Sequence, residues 1–220
     1  MAFPDDFTGA NGDAWSATYW DAASSGTATI ESNRGRLFIA STYSYGTISA
    51  KASGAVEAAD FDYTLELRPS AWGTQENRLD IGFRVDATDP YLFQVSIDVS
   101  TLWGAITAGR VRLLRNDWGA ITVHGTKQIT VATQPTSIFV HLVASGSNIS
   151  MSAWRDGESE PGSFDVAVSD GTYNSNVGFE FSTYCGADPN TYWDIDPYTA
   201  VAALRRPAAA PVWRKTLGLT

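Results

Sequence analysis

The stretch Leu79-Asp80-Ile81-Gly82-Phe83-Arg84-Val85, followed beyond Ala87-Thr88-Asp89-Pro90 by Tyr91-Leu92-Phe93-Gln94-Val95-Ser96-Ile97-Asp98-Val99, decides the fold class. Leu79, Ile81, Phe83 and Val85 share one side of an extended chain, while Arg78, Asp80 and Arg84 take the other. Tyr91, Phe93, Val95, Ile97 and Val99 alternate in the same way with Gln94, Ser96 and Asp98. Strict period-two alternation puts one row into a core and one into water, and two such runs joined by a proline-containing loop predict an antiparallel hairpin.

The pattern spreads outward from this hairpin. Phe61, Tyr63, Leu65 and Leu67 alternate with Asp62, Thr64 and Glu66; Ile149, Met151 and Ala153 follow later, then Val177, Phe179 and Phe181. Turn-forming residues fall between the runs: Ser32-Asn-Arg-Gly35, Ala144-Ser-Gly-Ser-Asn148 and Ser169-Asp-Gly171. About a dozen strands at regular spacing, with no amphipathic helix before residue 200, predict an all-β domain built as a sandwich or barrel over residues 1–200.

Composition narrows the function. Hydrophobic residues make up 44% of the 220, enough for a substantial core. The net charge of −9 argues against a nucleic-acid or anionic-membrane binder, which needs a basic footprint. No stretch approaches the ~18 apolar residues of a membrane span. Met1 is followed by Ala-Phe-Pro-Asp-Asp, with no basic and apolar leader, so synthesis as a soluble cytoplasmic product is expected. A single cysteine, Cys185, excludes a disulfide framework and reads as a small core residue.

At about residue 200 the character changes. Residues 201–220 hold Arg205, Arg206, Arg214 and Lys215 and no acid, so the preceding 200 residues carry a net −13. With Pro207 and Pro211 this segment reads as an extended basic arm. Arg205, Arg206, Trp213 and Arg214 are its expected anchors to a partner, because Trp and Arg dominate interface hot spots.

Several short motifs then carry a resemblance. Phe3-Pro-Asp5-Asp6-Phe7-Thr-Gly9 is followed by Trp15 and Trp20, and Asn33-Arg-Gly35-Arg-Leu37 comes next. Trp154-Arg-Asp-Gly157-Glu-Ser-Glu160-Pro161, Asn176-Val-Gly178-Phe and Trp193-Asp194-Ile-Asp196 complete the order. Over residues 3–199 this resembles the concanavalin A-like/laminin G-like superfamily, which implies an antiparallel two-sheet jelly-roll sandwich. Similar domains occur in bacteriophage virion proteins, glycan-binding modules and polysaccharide-cleaving enzymes, and fold does not choose among them. In resembling sandwiches the first and last strands lie close, which implies a possible calcium site from Asp5, Asp6, Asp194 and Asp196.

Catalytic signals are weak. Retaining glycosidases need two carboxyl groups about 5 Å apart. The Glu-x-Asp-x-x-Glu and Glu-x-Asp-x-Glu runs of laminarinase-like enzymes are absent, and Asp194 with Asp196 is the nearest acidic pair on one strand face. His141 lacks the Gln of the lyase Gln-x-His strand, and both His141 and His124 read as solvated strand residues. Trp72, Trp118 and Tyr184 sit in turn-like contexts and are candidates for a glycan platform, whereas Trp15, Trp20, Trp154 and Trp193 read as core. The expectation is a non-enzymatic virion structural protein, either a minor tail or a capsid decoration component. It would assemble with other virion proteins or with copies of itself and could bind a host-surface glycan. A free-standing carbohydrate-binding module and a polysaccharide-degrading enzyme are the alternatives.

Overall fold

The computed structural model describes residues 3–21, 26–40, 44–49, 58–70, 77–85, 92–100, 108–117, 119–130, 137–173, 175–185 and 190–198. Thirteen strands and no helix occur among them. In chain order they are β1 (Thr27–Ile30), β2 (Gly35–Ile39), β3 (Ser44–Ser49), β4 (Phe61–Pro69), β5 (Asn77–Val85), β6 (Leu92–Ser100) and β7 (Ala108–Asp117). The second half holds β8 (Ala120–Thr130), β9 (Ile138–Ser145), β10 (Asn148–Arg155), β11 (Val166–Ser169), β12 (Gly178–Cys185) and β13 (Thr191–Pro197). Seven form one sheet in the order β1-β2-β13-β4-β9-β10-β11, and six form the other, β3-β12-β5-β6-β7-β8. All pairings are antiparallel, and the order crosses the chain repeatedly, as a jelly-roll sandwich requires.

The expected hairpin is present: Asn77 to Phe83 pair with Val99 to Phe93. The β1–β2 turn uses Ser32 and Asn33, both at a φ of 56°, the left-handed pair that lets a two-residue loop follow strand twist. Inward rows from both sheets fill the core. Leu79, Ile81, Phe83, Phe179 and Phe181 come from the six-stranded sheet, and Phe61, Tyr63, Leu65, Trp193 and Ile195 from the other. Their rings interlock: Phe61 stacks on Tyr63 at 4.8 Å and meets Phe83 edge-on at 5.5 Å.

The N-terminal segment closes one end of this core with Phe3, Phe7, Trp15 and Trp20. Gly35 is required here, because a Cβ would lie 2.7 Å from the Phe7 ring and 2.8 Å from Trp15. Trp15, Trp20, Trp154, Trp193 and Cys185 are all buried, as expected.

Arg84 departs from the alternation. It was expected to face water, yet it is fully buried. Gly178 pairs with Val85 and Phe179 with Phe83, so Arg84 is the extra residue of a β-bulge, with a φ of 52°. The bulge turns its guanidinium onto the carbonyls of Ala59, at 3.0 Å, and Gly146, at 2.6 Å. It thereby ties the entry to β4 and the β9–β10 turn to β5.

A buried side-chain bond also joins the two sheets. The Trp193 indole on β13 donates to Asn77 Oδ1 on β5 at 3.0 Å, with both residues buried. Asn77→Ala leaves that N–H without an acceptor and should lower the unfolding free energy by about 1–3 kcal/mol in a denaturant titration, with an unchanged m-value.

Candidate functional site

Because Leu79, Ile81 and Phe83 enter the core, Arg78, Asp80 and Gly82 must lie on the outward face of the six-stranded sheet. The same parity sends out Glu180, Ser182 and Tyr184 from β12, Gln94 and Ser96 from β6, and Arg112 from β7. Register then draws a row straight across five strands: Thr47, Ser182, Asp80, Ser96, Arg112. A second row beside it runs Glu180, Gly82, Gln94, Leu114, Val123.

At the centre of this face sits Asp80. Although it is on the outer side of its sheet, it is only 9% exposed. Its Oδ2 accepts from Arg78 Nε at 2.9 Å, while Oδ1 is buried with no hydrogen-bond partner. Burial pushes its carboxyl above the ordinary range, against the pull of the Arg78 charge. Glu180 lies diagonally beside it, over Gly82, where an added Cβ would fall 2.7 Å from the Glu180 Cγ. Its carboxyl is also pushed up, first by burial and then by the charge of Asp80.

The surroundings are rich in hydrogen-bonding groups. Arg78 lies over the Tyr184 ring, 5.5 Å from its centroid. The Thr47 and Ser182 hydroxyls are 3.0 Å apart. Arg112 Nη2 reaches Ser96 Oγ at 3.5 Å, and Arg112 Nε is buried with no partner. Ile121 and Val123 of the edge strand β8 are 60% and 54% exposed, adding apolar surface at the margin. Paired carboxyls, arginines, hydroxyls, an amide and a tyrosine on one face can order several hydroxyls of a polyol.

The sequence candidates are distributed differently. Tyr184 belongs to this face, on a strand rather than in a turn. Trp72, Trp118, Arg205, Arg206, Trp213 and Arg214 lie outside the described residues. Asp5 accepts from the Phe7 amide at 2.9 Å and the Trp20 indole at 2.7 Å, so it fastens the N-terminal segment. Asp6 accepts from the Thr8 amide and hydroxyl.

Asp194 and Asp196 lie on the outward face of the seven-stranded sheet, each facing an arginine. Arg36 grips Asp194 with bonds of 2.7 and 3.0 Å and stacks over Tyr192. Arg34 sits 3.6 Å from Asp196 and 3.3 Å from Glu66, which also accepts from Ser137. Among the described residues no group of three or more His, Cys, Asp or Glu side chains is arranged to hold a metal ion.

Neither histidine is solvated as expected. His141 is clamped between Asp62, 2.8 Å from Nε2, and Glu160, 2.6 Å from Nδ1. His124 packs its ring against Phe93 and lies 3.5 Å from Asp170. Both are drawn in by acids on neighbouring strands and loops, which strand-by-strand alternation does not reveal.

The raised carboxyls predict a pH dependence. A folded-state pKa above the unfolded one means that the folded protein keeps a proton the unfolded chain has released. The associated stability is complete at low pH and is lost as pH rises through the raised value. For Asp196, pushed up mainly by burial, opposed by Arg34 and reinforced by Glu66, the window runs from 3.8 to about 6. Asp196→Asn should therefore flatten the decline in melting temperature across that window. Asp80→Asn and Glu180→Gln should each raise the melting temperature at neutral pH.

No protein-family model matches the chain, and no curated protein matches it. Solved structures do. The CBM2 module of the evolved Dit of Lactobacillus casei BL23 phage J-1 superposes with a TM-score of 0.54 at 8% identity, over 87% of this chain and 91% of that one. Crh5 transglycosylase gives 0.54 at 16% identity, over 89% and 82%. The exoplasmic/lumenal domain of VIP36, in a Ca2+/Man3GlcNAc-bound form, gives 0.51 at 10% identity, over 82% and 84%. At these identities the likeness is one of fold: the chain is a jelly-roll sandwich of the concanavalin A-like kind.

Proposed function

We propose that this chain is a non-catalytic carbohydrate-binding domain that takes its glycan on the outward face of the six-stranded sheet. The observation that carries this reading is Asp80, nine-tenths buried on the outward side of its sheet, with Ser96 and Gln94 close enough to act on its carboxyl and no well-formed hydrogen bond to Oδ1. An unsatisfied buried acceptor costs about 1–3 kcal/mol, and a sugar hydroxyl removes that cost on binding. Tyr184, paired with Arg78 on the neighbouring strand and two residues along from the partner of Asp80, offers a ring for the apolar face of a sugar. The fold likeness to a carbohydrate-binding module of a phage protein and to a glycan-bound lumenal domain supports the reading.

The biological setting we propose is a bacteriophage virion, as a minor tail or capsid decoration component. The phage Dit module is the support for it, together with a basic arm at 201–220 beside an acidic body. In this reading Arg205, Arg206, Trp213 and Arg214 anchor the arm to another virion protein or to a second copy. Deleting 201–220 should leave the melting temperature of the body unchanged while abolishing assembly. Unfolding of the body, or assembly that persists, would count against anchoring.

A second reading is favoured by one observation, the adjacent carboxyls of Asp80 and Glu180, both held above the ordinary range. Two such groups could act as acid and base on a glycosidic bond. One set of assays separates the readings. Incubation with β-glucans, alginates and bacterial wall polysaccharides should release no reducing ends. Calorimetric titration of the same panel should identify a bound glycan whose affinity falls about tenfold or more in Asp80→Ala and Tyr184→Ala, with both variants still folded. Release of reducing ends that disappears in Glu180→Gln would establish the enzyme instead.

A further inference from the structure

Most arginines of the described structure have a partner, Arg110 among them. Arg34, Arg36, Arg78, Arg84, Arg115 and Arg155 each lie within 4.0 Å of at least one carboxylate. The exposed Arg68 has none among the described residues, and neither does Arg112. Arg112 stands partly buried on the sheet face, its single hydrogen bond a long one of 3.5 Å to Ser96 Oγ, and its Nε is buried without an acceptor. In a chain of net charge −9, with 24 acids against 15 cations, a partly buried guanidinium without a carboxylate beside it stands out.

Its neighbours show what would satisfy it. Arg112 pairs in register with Ser96, and Ser96 with Asp80, so cation, hydroxyl and acceptor stand on three successive strands. At a strand spacing of about 4.8 Å, Asp80 and Arg112 are separated by about 10 Å, the span of a sugar ring with its substituent. The two ends of that span differ in kind. Asp80 and Glu180 offer acids that repel an anion, whereas Arg112 presents a fork of N–H donors whose geometry matches a carboxylate or phosphate.

We infer that the glycan bound on this face carries an oxyanion, a carboxylate or phosphate substituent, and that Arg112 receives it while Asp80 accepts from a hydroxyl of the same or the adjoining residue. The inference rests on the carbohydrate reading above and adds a substrate class and a direction of binding to it. The acidic substituent lies toward β7 and β8, and the neutral ring lies over β5 and β12. A uronic acid and a sugar phosphate share the required chemistry.

The test uses the full chain and matched pairs of probes: trigalacturonate against galactotriose, mannuronate oligomers against mannotriose, and galactose 6-phosphate against galactose. At least one acidic member should bind about tenfold or more tightly than its neutral partner, as expected for charge-assisted hydrogen bonds. Its binding should weaken with added sodium chloride. The same probe should shift the arginine Nε–Hε NMR signal that is missing in Arg112→Gln. Whether the uronates or the phosphate do this identifies the source of the oxyanion.

Arg112→Gln should abolish the preference for the acidic member while retaining binding of the neutral one. Its melting temperature should be unchanged or slightly higher, because a partly buried charge with no carboxylate beside it is removed. Arg112→Lys should recover only part of the preference, since an ammonium keeps the charge but not the fork. A preference that survives Arg112→Gln, equal binding of acidic and neutral members by the wild type, or a marked fall in the melting temperature of Arg112→Gln would each overturn the inference. The first two of these leave the carbohydrate reading in place. Binding of none of the six probes overturns the inference and counts against the carbohydrate reading as well.

Discussion

The period-two parity of β5 and β12 is the constraint on which the rest of the molecule depends. These strands are neighbours near the middle of the six-stranded sheet, and their inward residues Leu79, Ile81, Phe83, Phe179 and Phe181 lie at the heart of the core. A one-residue slip of either strand would exchange those side chains for Asp80, Gly82, Glu180 and Ser182, at a cost no sandwich could absorb. The register that secures the core therefore also places two acids side by side on the outer face. Central strands are flanked on both sides, so even their outward residues lose much of their water, which is why Asp80 is nine-tenths buried. Packing and site are two consequences of one alternation.

The two outward faces of the sandwich use their charges differently. On the seven-stranded sheet, Arg36 is matched to Asp194, and Arg34 to Glu66 and Asp196. Such pairs hold neighbouring strands and the β1–β2 turn together, with modest net stabilisation once desolvation is counted. On the six-stranded sheet Arg78 is matched to Asp80, while Asp80 Oδ1 and Arg112 Nε have no hydrogen-bond partner; beside the other sheet Arg34 Nη1 also has none, although Arg34 holds two carboxylates. Natural proteins retain buried unsatisfied groups mainly where function requires them. What sets the proposed binding face apart is that its open atoms belong to an acid and to a guanidinium with no carboxylate beside it among the described residues.

Much of the fold was legible because it rests on alternation, which is local. The pairing of Asn77–Phe83 with Phe93–Val99, the turn at Ser32-Asn33 and the burial of Trp15, Trp20, Trp154 and Trp193 all follow from residues a few positions apart. What was not legible depends on contacts distant in sequence. The outward side of Asp80 was readable, but its burial and its adjacency to Glu180, 100 positions away, come from strand order. Arg84 was misplaced because a bulge breaks the parity that the reading assumed. His141 looked free because Asp62 and Glu160 approach it from another strand and from a loop. Asp5 looked like a surface ligand, since nothing local indicates that the Trp20 indole will meet it.

The chemistry of the Asp80–Glu180 pair follows from which cation stands where. Two carboxyls at close quarters titrate as a unit and resist losing both protons. Arg78 donates to Asp80 and favours its charged form, whereas the influences on Glu180, burial and the Asp80 charge, both oppose ionisation. The face thus presents two carboxyl groups side by side, both held above the ordinary range, and a shared proton lets the pair donate as well as accept. A sugar hydroxyl both donates and accepts, and two such hydroxyls on adjacent carbons can meet that arrangement without leaving a lone pair or a proton unmatched. Cleavage would ask for more: a bond placed between the acids, and a carboxylate free of Arg78 to serve as base or nucleophile. Arg78 already engages Asp80 Oδ2, which is why the proposal takes recognition of a polyol over cleavage.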